Sequence, residues 1–182
     1  MNTQHLTPGT AALLLVPPLM WAGNAVVGRL ATDLISPITL NFLRWVVAFF
    51  LLLPLAWKLF VSGSSLSALL WANWRRYALL GLLWSGLLSA GEWSLGAGNF
   101  QWGWPLALTL AYVSVGPAII AYRCYGLGVQ RVGPTLAAFF TNLTPLIAAV
   151  LSAAFLGELP QLYHALAFVL IVGGIWVGSR KA

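Results

Sequence analysis

Residues 133–158 read GPTLAAFFTNLTPLIAAVLSAAFLGE. The stretch is apolar, carries no charge before Glu158, and holds Asn142-Leu143-Thr144-Pro145 in its interior. Crossing the hydrocarbon of a bilayer takes about 20 apolar residues in a helix, and this run is long enough. Pro145 has no N–H, so the carbonyl of Thr141, one turn earlier, loses its usual donor. In hydrocarbon a hydroxyl, a neighbouring helix or a water must compensate. A polar, proline-broken helix at membrane depth is tolerated only where it faces a cavity or other protein. Gly133-Pro134 opens the helix and Gly157-Glu158 closes it. A chain built this way moves or holds something inside the membrane.

The rest of the sequence has the same character. Of 182 residues, 60% are hydrophobic and 7% charged, against roughly 25% charged in an average soluble domain. Nine basic and three acidic residues cannot make a water-soluble surface. Apolar spans are predicted near 11–31, 38–61, 77–93, 104–126, 133–156 and 161–178, the third being the shortest. The fold class expected is an all-α integral membrane protein with about six transmembrane helices, forming a single membrane domain over 1–182. Met1 to Thr10 carries no Lys or Arg, so the first span lacks a signal peptide's basic n-region and is expected to stay in the protein. Cys124 is the only cysteine. It can form no intrachain disulfide and reads as a small, unreactive residue beside Arg123.

The charges orient the spans. Lys58, Arg75, Arg76, Arg123, Arg131, Arg180 and Lys181 fall in alternate connections, and Asp33, Glu92 and Glu158 in the opposite set. The positive-inside bias then puts both the N and C termini in the cytoplasm of a multi-pass protein of the cell membrane, a bacterial inner membrane. Deleting the third span would separate Arg75 and Arg76 from Arg123 and Arg131, so the pattern favours six crossings. The net charge of +6 fits this bias and contact with anionic headgroups of the lipid bilayer. No soluble basic face exists for nucleic acid. Trp57, Trp71, Trp74, Trp93, Trp102 and Trp104 lie near predicted span ends, where indole rings anchor to headgroups.

Polar and irregular residues within the spans are the functional candidates. Trp21 and Asn24, three apart, share a helix face after Pro17 and Pro18. Asn24 either bonds a neighbouring helix or faces a solute. Arg29 is expected to snorkel to the headgroups. Arg44, early in the second span, either snorkels, pairs with Asp33 or Glu158, or recognises an anion. Tyr112 and Tyr122 either pack or contact a ligand, and Pro117 bends the helix between them. Asn142, Thr144 and Pro145 complete the set. Two histidines and three scattered acids supply neither a metal cluster nor a paired acid and base, so no catalytic residue, metal or cofactor is expected and an embedded enzyme is disfavoured. A carboxylate for proton coupling is also missing from the midplane.

The segment 133–158, with N-L-x-P, L-G-E and the Gly-rich run Leu170 to Gly178 after it, resembles the closing part of EamA-type permeases of the drug/metabolite transporter superfamily. Trp21-Ala22-Gly23-Asn24, Ser36-Pro37 and Phe42-Leu43-Arg44-Trp45 resemble the family's opening helices. On this resemblance 11–80 is similar to the start of such a permease and 91–182 to its end, the family's middle helices being absent. The resemblance implies alternating access around a central cavity, transport and export of small metabolites or amino acids, and a small-molecule solute as partner. Trp21, Asn24, Tyr112, Asn142 and Thr144 would line that cavity. With fewer helices than the family's ten, a closed pathway would need a homo-oligomer or another partner. The alternative is a non-transporting truncated remnant or assembly partner in the membrane.

Overall fold

Helix formation starts at Thr7-Pro8. The Thr7 carbonyl accepts the Ala11 N–H at 2.9 Å and its hydroxyl accepts the Thr10 N–H at 3.3 Å. Pro8 occupies the first helical position, where a missing N–H costs nothing. The first helix, α1, is Pro8–Leu30 and continues through Pro17 and Pro18, both buried. The computed structural model describes residues 6–61 and 84–158 together with 166, 169, 170 and 173, without the side chains of 55–61 and 84. Its further helices are α2 (Pro37–Val61), α3 (Trp84–Ser94), α4 (Trp104–Val115), a π-helical segment (Gly116–Ile120), α5 (Ala121–Val132), α6 (Pro134–Thr141) and α7 (Thr144–Leu156). The described residues contain no strand, only an isolated antiparallel bridge between Ile35 and Phe100.

Four stretches of the described residues are helical, long and apolar enough to cross a membrane: Pro8–Leu30, Pro37–Pro54, Trp104–Val132 and Pro134–Leu156. The protein is thus an all-α, multi-pass membrane protein. These four match the predicted first, second, fourth and fifth spans, although the fourth helix runs on to Val132. The start of the predicted third span, 77–83, and all but four residues of the sixth lie outside the described residues. So do Arg75, Arg76, Arg180, Lys181, Trp71 and Trp74 and the side chains of Trp57 and Lys58.

Prolines produce irregularity at two of the predicted places. At Pro117 the helix widens into the π segment, whose Gly116, Pro117 and Ala118 are buried. Such π turns accommodate a missing i→i−4 donor. Before Pro145 the chain tightens instead: the N–H of Asn142 reaches the Phe139 carbonyl at 3.3 Å and that of Leu143 the Phe140 carbonyl at 3.1 Å. The Thr141 hydroxyl turns back to the Ala138 carbonyl at 2.7 Å. Regular bonding resumes with the Ile147 N–H on the Leu143 carbonyl at 2.9 Å.

The described residues fall into two compact units, one from 1–30 and 119–182 and the other from 31–118. In the first, α1 packs against α5, α6 and α7, with Leu14, Ala22, Val26, Ala121 and Ala137 buried. A Cβ on Gly128 would lie 2.1 Å from Leu14 Cδ2, so α5 touches α1 there through bare backbone. In the second, α2 packs against α3 and α4. α3 ends in a Schellman motif: Gly96 has φ +72°, its N–H bonds the Trp93 carbonyl at 3.1 Å, and the Ala97 N–H bonds the Glu92 carbonyl at 3.0 Å. Only a residue without Cβ takes that conformation at little cost.

Gly128→Ala should overpack the α1–α5 contact, lowering stability by about 1–3 kcal/mol. Thermal unfolding in nanodiscs measures this. Leu14→Ala added to it should recover part of the loss, and a wild-type melting temperature for Gly128→Ala would refute the close approach.

Candidate functional site

Packing of α1 on α5 joins residues far apart in sequence. The Trp21 ring meets Tyr122 edge-on, centroids 5.5 Å apart at 64°, and lies 6.2 Å from Tyr125. Tyr125 is one turn beyond Tyr122 and shares its face. Asn24 follows Trp21 by three residues and is half-buried. Asn142, Thr144 and Pro145 belong to the same unit, at the break between α6 and α7, two helices that both pack on α1. Asn142 and Pro145 are exposed. Thr144 Oγ1 is shielded and has no hydrogen-bond partner.

The C-terminal ends of α1 and α7 are joined by charge. Arg29 Nη1 donates to both carboxylate oxygens of Glu158, just beyond Gly157, which ends α7 in the left-handed conformation. Arg29 is therefore ion-paired, and Glu158, one of two acids considered for Arg44, is bonded by Arg29. Their side chains are 61% and 50% exposed, a setting in which water screens much of the attraction.

The other two candidates, Arg44 and Tyr112, lie in the second unit. Arg44 Nη2 donates to Asn41 Oδ1 at 2.8 Å, and its guanidinium carbon lies 5.0 Å from the Trp45 ring centroid, a cation–π geometry. Tyr112 is half-buried in α4. Two residues on, Ser114 is fully buried and its hydroxyl has no hydrogen-bond partner.

Sequence reasoning placed Glu92 in an outer connection and missed its partners. Glu92 sits in the last turn of α3, and its Oε2 accepts the Ser36 hydroxyl at 2.6 Å, the Thr39 hydroxyl at 2.9 Å and the Thr39 N–H at 3.1 Å. That amide is one of the unpaired donors in the first turn of α2, so a carboxylate from α3 caps α2. Trp93 Nε1 donates to Thr39 Oγ1 at 3.0 Å, and Ser89 Oγ lies 3.0 Å from the same oxygen. A carboxylate can only accept, so the Thr39 proton goes to Glu92 and Ser89 must be the donor to Thr39. Ser36-Pro37 marks a helix start, but nothing local to it reveals an acid 56 residues away.

Among the described residues no three His, Cys, Asp or Glu side chains gather to hold a metal ion. Bilayer-length apolar helices, two of them interrupted at prolines, define an all-α multi-pass membrane protein. The profile of the EamA-like transporter family matches residues 84–180, just over half of the chain, and the chain belongs to that family. It is thereby a membrane transporter of the drug/metabolite superfamily. No curated protein and no solved structure matches it.

Two substitutions separate the polar contacts by strength. Thr39→Val strands the Trp93 and Ser89 donors and should cost about 1–3 kcal/mol of stability. Arg29→Ala, at an exposed pair, should cost less than about 1 kcal/mol. Denaturant titration in nanodiscs measures both, and equal losses would contradict the difference in burial.

Proposed function

We propose that this chain exports small metabolites or amino acids across the cell membrane, a bacterial inner membrane. Trp21, Asn24, Tyr122, Asn142, Thr144 and Pro145 of the first unit are the proposed pathway residues. Arg44 and Tyr112 are proposed as solute contacts of the second unit, taken by itself. The observation that carries this reading is Thr144: its hydroxyl is shielded and unpartnered, although buried polar groups are nearly always hydrogen-bonded. Beside a helix break, such a hydroxyl supports a place where water or a passing solute completes the bonding. The Trp21–Tyr122–Tyr125 rings supply apolar faces with polar tips, and Asn24 supplies an amide. That combination suits amphipathic solutes. Self-association is proposed to add the wall helices that close the pathway.

Efflux of a radiolabelled amino-acid panel from proteoliposomes tests the reading. Asn24→Ala and Asn142→Ala, inserted at normal levels, should each slow efflux about tenfold, equivalent to about 1.4 kcal/mol of barrier. A wild-type protein that moves no member of the panel would favour the non-transporting assembly partner. Native mass spectrometry in nanodiscs should show a dimer, and a monomer that sustains full flux would overturn the need for self-association.

A further inference from the structure

Between Glu92 and Arg123 the chain carries no charged residue, yet the connection between α3 and α4 is not buried. Leu95 is 85% exposed, Trp102 76% and Trp104 79%, with Trp93 and Phe100 also exposed. A flexible loop would fold such side chains inward. This one is prevented by its backbone. The Ser36 N–H bonds the Asn99 carbonyl at 3.0 Å, the Gln101 N–H bonds the Leu34 carbonyl at 2.7 Å, and Asn99 Nδ2 bonds the Asp33 carbonyl at 2.8 Å. These bonds flank the Ile35–Phe100 bridge and clip 99–101 to 33–36. Trp93 is held by Thr39, and a Cβ on Gly98 would lie 2.5 Å from its ring. Phe100 and Trp102 stack at 6.1 Å with 19° between planes.

The place of this clip along the membrane normal follows from the helices it joins. Both of its arms run directly into membrane spans, 33–36 into Pro37–Pro54 and 99–103 into Trp104–Val132. From Trp104 to Tyr122 the latter is free of charge, and at 1.5 Å per residue that stretch is about 28 Å long. This is close to the hydrocarbon thickness of roughly 30 Å, which sets the hydrocarbon edge near Trp104. Trp102, two residues earlier, is then within about 7 Å of that edge even when fully extended. The headgroup layer on each side is about 5–8 Å thick.

We propose that the 95–104 clip is seated in the headgroup layer, with Leu95, Phe100, Trp102 and Trp104 in contact with phospholipid instead of water. Indole and phenyl rings match that zone, where an apolar body and a polar N–H are both accommodated and the neighbouring Asp33 and Glu92 can stay at the polar side. The clip is a lipid-binding lip built on rigid backbone, and phospholipid is its partner.

Depth measurement tests the proposal on the whole protein. Leu95→Cys and Trp102→Cys, each in a Cys124→Ser background, are labelled with an environment-sensitive fluorophore and reconstituted in phosphatidylcholine nanodiscs. Gel filtration and circular dichroism establish that both variants are folded. Lipids spin-labelled at the headgroup or shallow on the acyl chain should quench both labels about twofold or more, and aqueous iodide should quench them little, as for groups at the interface. Iodide quenching like that of free dye would overturn the proposal, placing the clip in water. Shielding from both quenchers would also overturn it, because a second copy or another protein would then cover the surface.

Discussion

Inside hydrocarbon no water bonds an exposed N–H or carbonyl, so the chain must satisfy its own backbone wherever it crosses. This requirement explains why interruptions in the helices take the forms they do. Pro117 is absorbed by a change of helical pitch, with Gly116, Pro117 and Ala118 buried. The Asn142–Pro145 break is absorbed by two tightened backbone bonds and the Thr141 hydroxyl, after which the ladder resumes. Pro17 and Pro18 lie in a helix packed by three others, and α1 continues through them. At the end of α3 the same need is met by Gly96, whose left-handed backbone lets the helix close its last carbonyls before the chain turns.

The acids at the span ends act differently because their surroundings differ. Glu158 pairs with Arg29 while at least half of each side chain stays exposed, so the pair is weakened wherever water and salt reach it. Glu92 faces hydroxyls and a helix-terminal amide, with Ser36, Thr39 and Ser89 all buried. Its charge is met by hydrogen-bond donors and the positive end of α2. The consequence is structural: α2, α3 and the connection between α3 and α4 are tied at one end, which sets where Trp93 and the neighbouring aromatic residues point.

What the sequence revealed was local. Apolar runs locate the four described spans, Gly157 and Gly133-Pro134 mark helix ends, and Pro117 and Pro145 mark the irregular turns, because each of these depends on one residue's own stereochemistry. Partnerships are different. Nothing in Ser36-Pro37-Ile38-Thr39 identifies Glu92 as the acceptor, and nothing near Arg29 identifies Glu158, 129 residues away. Of the solute-contact candidates, Trp21 and Tyr122 meet directly, while Arg44 and Tyr112 belong to the other unit. A pattern of polar residues in apolar spans shows which residues need company without showing which company they find.

Two of those polar residues show how a helix can keep bonding capacity for something outside the fold. Ser and Thr in helices usually return their hydroxyl to a carbonyl one turn back. Thr141 does so, to Ala138. Ser114 and Thr144 do not, although each lies within three residues of a proline and neither hydroxyl is open to solvent. The fold therefore holds a donor and acceptor in each unit that it does not use for its own stability. In a soluble protein such groups would be liabilities left to ordered water. In the transport function proposed above, that unused capacity beside a helix break is what water or a passing polar solute would engage once the surrounding helices part.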